Sequence, residues 1–130
     1  MSTNKKILIV EDDPLLSKQL EDALRAEKFD VILATNGENG LATAFSQHPD
    51  LILLDIVMPK MDGLTMYKKL QEDAWGRQVA VMILTAVTDK DRIVEAKQGG
   101  VYYYLIKENF EPRDVALKIK ERLGLDQPRL

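Results

Sequence analysis

Along the chain the apolar positions switch repeatedly between two periods. Short runs rich in aliphatic and β-branched residues occur at Lys6–Val10, Asp30–Ala34, Leu51–Leu54, Val79–Leu84 and Tyr102–Ile106. Segments with helical spacing lie between and after them, over Pro14–Glu27, Gly37–Gln47, Leu64–Asp73, Asp89–Gln98 and Pro112–Leu123. In the first helical segment Leu16, Leu20, Ala23 and Leu24 collect on one face, and in the last Val115, Ala116, Ile119 and Leu123 do so. Punctuation agrees with these bounds: Asp62 stands as a cap before Gly63, Gly99-Gly100 closes the fourth helix and Pro112 opens the fifth.

Strands alternating with helices predict an α/β fold with one parallel sheet covered by helices on both faces. The runs ILIV, LILL and VAVMIL are continuously apolar, as strands buried on both sides should be. No repeat, low-complexity tract or linker divides the chain, so residues 1–124 are expected to form one domain. Residues 125–130, with Pro128, are expected to be a short frayed tail.

Composition narrows the function classes. The 130 residues are 45% hydrophobic and 30% charged, the balance of an ordinary globular domain. A net charge of −3 gives no support for binding nucleic acid or an anionic membrane. With no cysteine, a disulfide framework, a thiolate zinc site and a cysteine nucleophile are excluded. The opening MSTNKK leads into an apolar run too short for a signal peptide or a membrane span, so a cytoplasmic location is expected.

The chemistry gathers where such sheets carry their sites, at the carboxyl ends of the strands. Glu11, Asp12 and Asp13 follow the first strand, Asp55 the third, Thr85 the fourth and Lys107 the fifth. Strand two ends in Thr35-Asn36 and contributes nothing comparable. Carboxylates crowded together raise one another's pKa or recruit a cation, and oxygen ligands without His or Cys favour Mg²⁺. An ionised carboxylate can itself attack phosphorus and needs no separate base. The charge on the phosphoryl oxygens then needs a cation, an ammonium and hydroxyl or backbone donors. Each of those groups could be innocent alone: Asp13 reads as a helix cap, Thr85 as a satisfied hydroxyl, Lys107 as a solvated charge. Their joint placement is what carries the reading.

At these residues the chain resembles the receiver domains of two-component response regulators. The motifs are KILIVEDD, LILLDIVMPKMDG, VMILTA and YYYLIK, in that order, and the resemblance covers about residues 5–123. It implies a flavodoxin-like doubly wound sheet of five strands in the order 2-1-3-4-5, with five helices. It implies Asp55 as phosphoacceptor, with Glu11, Asp12, Asp55 and the backbone carbonyl of Val57 holding Mg²⁺. Thr85 and Lys107 would meet phosphoryl oxygens, and Tyr104 would be the switch aromatic that follows Thr85. Tyr102 and Tyr104 alternate to one strand face, so packing accounts for an aromatic at 104 equally well. The implied donor is a phosphohistidine on a sensor histidine kinase or histidine phosphotransfer protein, which the stretch Pro14–Leu16 would contact. The implied output is a protein target met by helix four, strand five and helix five, around Arg92, Lys97, Tyr103 and Lys118. Neither nucleic acid nor membrane is an expected partner, and the state is monomer or phosphorylation-dependent dimer. The ending resembles short standalone receivers of the chemotaxis-regulator type more than DNA-binding regulators, though a receiver excised from a longer regulator would read alike.

Two departures from the family pattern matter. Glu108 stands where most receivers have Pro after the lysine; a cis bond before a non-proline residue costs about 3–4 kcal/mol, so Lys107–Glu108 is expected to be trans. Val57 and Val87, two residues after Asp55 and Thr85, are apolar and are expected to shield an acyl phosphate from water. A phosphohydrolase would carry a second Asp at position 57, and no glycine-rich nucleotide loop is present. Turnover on a small substrate is therefore not expected; a pseudo-receiver, keeping the fold without phosphorylation, is the binding-module rival. His48 reads as a surface turn residue and Trp75 as a loop residue without a task.

Overall fold

In the computed structural model, residues 4–86, 90–101 and 103–125 are described. They form strands β1 (Lys6–Val10), β2 (Asp30–Ala34), β3 (Leu51–Leu54), β4 (Ala80–Thr85) and β5 (Tyr103–Ile106). The helices are α1 (Pro14–Ala26), α2 (Gly37–Gln47), α3 (Gly63–Gln71), α4 (Lys90–Gln98) and α5 (Pro112–Arg122). All pairings are parallel, in the order β2-β1-β3-β4-β5. The expected doubly wound architecture is therefore present.

Local chemistry starts the helices where the pattern placed them. The Asp13 carboxylate accepts from the backbone N–H of Leu15 at 3.0 Å and of Leu16 at 3.4 Å, with Pro14 in the first turn. Asn36 accepts from Asn39 N–H and Asp62 from Thr65 N–H, each at 2.8 Å. These caps satisfy donors that the first helical turn leaves without partners. Asp114 closes the start of α5 by accepting from Glu111 N–H at 3.1 Å.

Two apolar layers sandwich the sheet. One joins Leu8, Val10, Ile52, Leu54, Val81 and Ile83 to α2, α3 and Ala96 of α4. The other joins Ile7, Ile9, Leu51, Leu53, Met82 and Leu84 to Leu20 and Leu24 of α1 and Val115, Ala116 and Ile119 of α5. Alternation along each strand makes this division, so β1, β3 and β4 are buried on both faces.

Boundaries moved by a residue or two from the sequence reading. β4 runs one residue later than expected, since Val79 N–H bonds back to Trp75 at 3.2 Å, and Thr85 is thereby inside the sheet. α3 starts at Gly63 and ends at Gln71. Leu125, assigned to the tail, packs against the second layer and donates to Lys120 at 2.8 Å. Val87, Asp89, Tyr102 and residues 126–130 lie outside the described residues. The Lys107–Glu108 peptide is trans, as expected, and Lys107–Asn109 forms a single 3₁₀ turn.

Candidate functional site

The parallel register fixes which residues meet at the rim. Val10 pairs with Leu54, so Glu11 and Asp55 emerge side by side from β1 and β3. Asp55 N–H bonds to Val10 at 3.1 Å and Glu11 N–H to Ala34 at 3.0 Å, which extends the ladder into the site. On the other side Thr85 pairs with Ile106, the residue before Lys107.

Asp55 is buried, 5% exposed, and both carboxylate oxygens have partners. Oδ1 accepts from the Ile56 N–H at 2.7 Å and Oδ2 from Lys107 Nζ at 2.9 Å. Glu11 is 3% exposed; its Oε1 pairs with the same Lys107 Nζ at 2.9 Å and its Oε2 accepts from Asp13 N–H at 3.1 Å. Asp12 is exposed beside them, and one oxygen from each of Glu11, Asp12 and Asp55 lies within 4.8 Å of the others. Gly63 is required beneath this cluster, because a Cβ there would collide with the Asp55 carbonyl oxygen.

Charge explains the arrangement. Burial is the main effect raising the Glu11 pKa above 4.5, aided by repulsion from Asp55, and it outweighs the help from Lys107 and the Asp13 N–H. Burial also works against the Lys107 ammonium, yet hydrogen bonds and attraction from Glu11 and Asp55 win and raise its pKa above 10.5. Lys107 is thus held charged between two carboxylates. The cluster offers only hard oxygen donors, and that donor set fits Mg²⁺.

The remaining predicted residues fall around this centre. Thr85 is fully buried at the end of β4. Tyr104 is half-buried against the layer containing α3 and α4, while Tyr103 packs into the opposite one, as alternation required. Thr85 lies two residues beyond Ile83, the partner of Tyr104, so Thr85 and Tyr104 share a sheet face. The Val57 side chain is 62% exposed in the loop that leaves Asp55. On the α1 side Leu15 is 68% exposed next to the rim.

Sequence reasoning missed four contacts. Lys107 bridges Glu11 as well as Asp55; the two carboxylates come from different strands, so no local spacing announces it. Backbone N–H groups of Ile56 and Asp13 hold the carboxylates, and such donors leave no residue-type signal. Finally, the His48 ring stacks on Trp75 with centroids 4.1 Å apart and planes 6° from parallel, giving both loop residues a packing role.

Comparison with known proteins gives a consistent family. The response regulator receiver domain family matches residues 7–120. The DNA-binding response regulator MtrA of Mycolicibacterium smegmatis is 34% identical over 119 residues, covering 92% of this chain and 50% of that protein. The chain thus spans about half the length of the curated relatives it matches. A CheY-like receiver domain protein from Methanospirillum hungatei superposes with a TM-score of 0.86 at 29% identity, covering 94% of this chain and 95% of that one. Chemotaxis protein CheY4 of Vibrio cholerae gives 0.83 at 27% identity, covering 92% and 98% respectively.

Proposed function

The chain belongs to the response regulator receiver family, and from that premise we propose that it is a phosphorylation switch with Asp55 as the acceptor. The observation that carries the reading is the buried Asp55 carboxylate, hydrogen-bonded to Lys107 at 2.9 Å and clustered with Glu11 and Asp12. A carboxylate oxygen of Asp55 attacks the phosphorus of a phosphohistidine. The new P–O bond forms as the P–N bond breaks, and the imidazole leaves with the electron pair and takes up a proton. Glu11, Asp12, Asp55 and the Val57 carbonyl would hold Mg²⁺, which supplies positive charge for the phosphoryl oxygens when bound.

The chain's own groups do the rest. Lys107, already oriented on Oδ2 of Asp55, turns its ammonium to a phosphoryl oxygen, and the Thr85 hydroxyl donates to another. Movement of Thr85 lets Tyr104, on the same sheet face, turn inward and alters the α4–β5–α5 surface. The phosphoryl group shifts the population only as far as it binds the altered state more tightly. A sensor histidine kinase or phosphotransfer protein docks at the exposed Leu15 end of α1, and a protein target reads the altered surface. The protein works in the cytoplasm and promotes its own phosphorylation and dephosphorylation without turning over a separate substrate. The exposed Val57 side chain shields the acyl phosphate from water; Val57→Asn is expected to speed dephosphorylation.

Incubation with acetyl phosphate, followed by intact mass, tests the reading. One phosphoryl increment is expected with Mg²⁺ and none with chelator or in Asp55→Ala. No increment in the native protein would reject it and favour a pseudo-receiver, and an equal increment in Asp55→Ala would reject Asp55 as the acceptor.

A further inference from the structure

α4 is the least buried helix of the sheet's covering layers. Among its described residues only Ala96 is buried; Ile93 is half-buried and Val94 is 49% exposed. An open groove of about 290 Å³ separates it from α3, lined by Leu64, Tyr67, Lys68, Gln71, Glu95 and Gly99. Apolar contact therefore does little to fix where α4 lies. Polar links tie it to α3 and the residues before it, two along its length and one just past its end.

Arg92 Nη1 lies 3.9 Å from Asp62 Oδ2 near the start of α4, and Lys68 Nζ pairs with Glu95 Oε2 at 2.7 Å in its middle. Past its end, the Tyr67 hydroxyl donates to the Gly99 carbonyl at 2.7 Å. The first two are exposed and individually weak. The third is different. Tyr67 is 5% exposed, and desolvation raises its pKa above 10, so the hydroxyl stays a proton donor. The double glycine is what admits it: a Cβ on Gly99 would lie 3.0 Å from the Tyr67 ring, and Gly100 adopts φ +105° with the hydroxyl 3.0 Å from its Cβ position.

Four residues, 86–89, separate Thr85 from α4, so the helix is the element that follows the strand end bearing the site. We propose that Tyr67 is a positioning residue: its bond to Gly99, assisted by Lys68–Glu95 and Arg92–Asp62, latches α4 in the resting state and is given up on activation. The inference rests on the phosphoacceptor reading and adds to it a device that sets the resting equilibrium.

Amide exchange and beryllofluoride binding test it on the whole chain. In Tyr67→Phe the ring still fills the core, and loss of one hydrogen bond should speed exchange in α4 about fivefold without changing α1 or α5. The same variant should bind beryllofluoride with Mg²⁺ several-fold more tightly, because the resting state it competes with is weakened. Lys68→Glu should act in the same direction, and Lys68→Glu combined with Glu95→Lys should return affinity toward the parent. Unchanged α4 exchange in Tyr67→Phe overturns the latch, as does faster exchange with unchanged affinity. A parent chain that binds no beryllofluoride overturns the phosphoacceptor reading, and this inference with it.

Discussion

Helices α1 and α5 meet over shared apolar surface, whereas α3 and α4 face each other across a groove joined by polar links. On the first side Leu20, Leu24, Val115, Ala116 and Ile119 are all essentially inaccessible, and Lys120 Nζ reaches Glu27 at 3.0 Å to close the seam. On the second side α4 contributes one buried residue, Ala96. Apolar burial is worth roughly 25 cal/mol per Å² and forms a rigid jigsaw, while exposed ion pairs contribute little and re-form easily. One sheet thus carries a wall fixed along both its helices and a wall in which α4, unlike the well-buried α3, is loosely held and is the part proposed to move. The reacting carboxylates end β1 and β3 in the middle, and Thr85 ends the strand that leads to α4.

Core truncation should separate the two walls most clearly. Ile119→Ala is expected to cost about 2–5 kcal/mol by urea unfolding, from lost transfer energy and an unfilled cavity. Val94→Ala, at a half-exposed α4 position, should stay within about 0.5 kcal/mol. Equal costs would break the comparison. Next in size is metal: Mg²⁺ at a hundred times its dissociation constant should stabilise the fold by about 2.7 kcal/mol, if it binds the folded state alone. Asp12→Asn, at an exposed ligand position, should lose most of that thermal shift while the metal-free stability hardly changes.

Ion pairs give a finer contrast. Double-mutant cycles should assign about 1 kcal/mol to the part-buried Lys120–Glu27 pair and about 0.2–0.5 kcal/mol to Lys68–Glu95. The reverse order would contradict a movable α4 held by weak links. The smallest effect expected is pH-dependent, because Lys107 opposes the burial of Glu11. The folded-state pKa of Glu11 is raised, so the folded chain holds a proton there that the unfolded chain loses near 4.5. Stability relative to Glu11→Gln should therefore fall as pH rises from 4.5 through the raised folded value, and be constant below 4.5. Lys107 is raised as well; its contribution is complete below 10.5 and is lost only as pH rises through the higher folded value.

The fixed wall and the sheet were legible in the sequence, since periodic apolar positions report burial directly. Leu20 and Leu24 in α1 and Val115, Ala116 and Ile119 in α5 were named from spacing and are buried. The rim was legible too, since parallel strands deliver their end residues to one edge whatever their side chains. What lay beyond reach was pairing between distant segments through polar atoms. Nothing local in Tyr67 points to Gly99, nor in His48 to Trp75, because each contact depends on how two loops or helices lie in space. Arg92, read as part of a partner-binding face, also lies beside Asp62, a contact that no local spacing announces.

The central claim is that the acyl phosphate forms on one carboxylate. Borohydride reduces an acyl phosphate at aspartate to homoserine, so reduction after acetyl phosphate treatment with Mg²⁺, followed by peptide mapping, reads the acceptor directly. Homoserine in place of Asp55, and nowhere else, is the expected result. Homoserine at Asp12 or another aspartate, or none after confirmed phosphorylation, would contradict it.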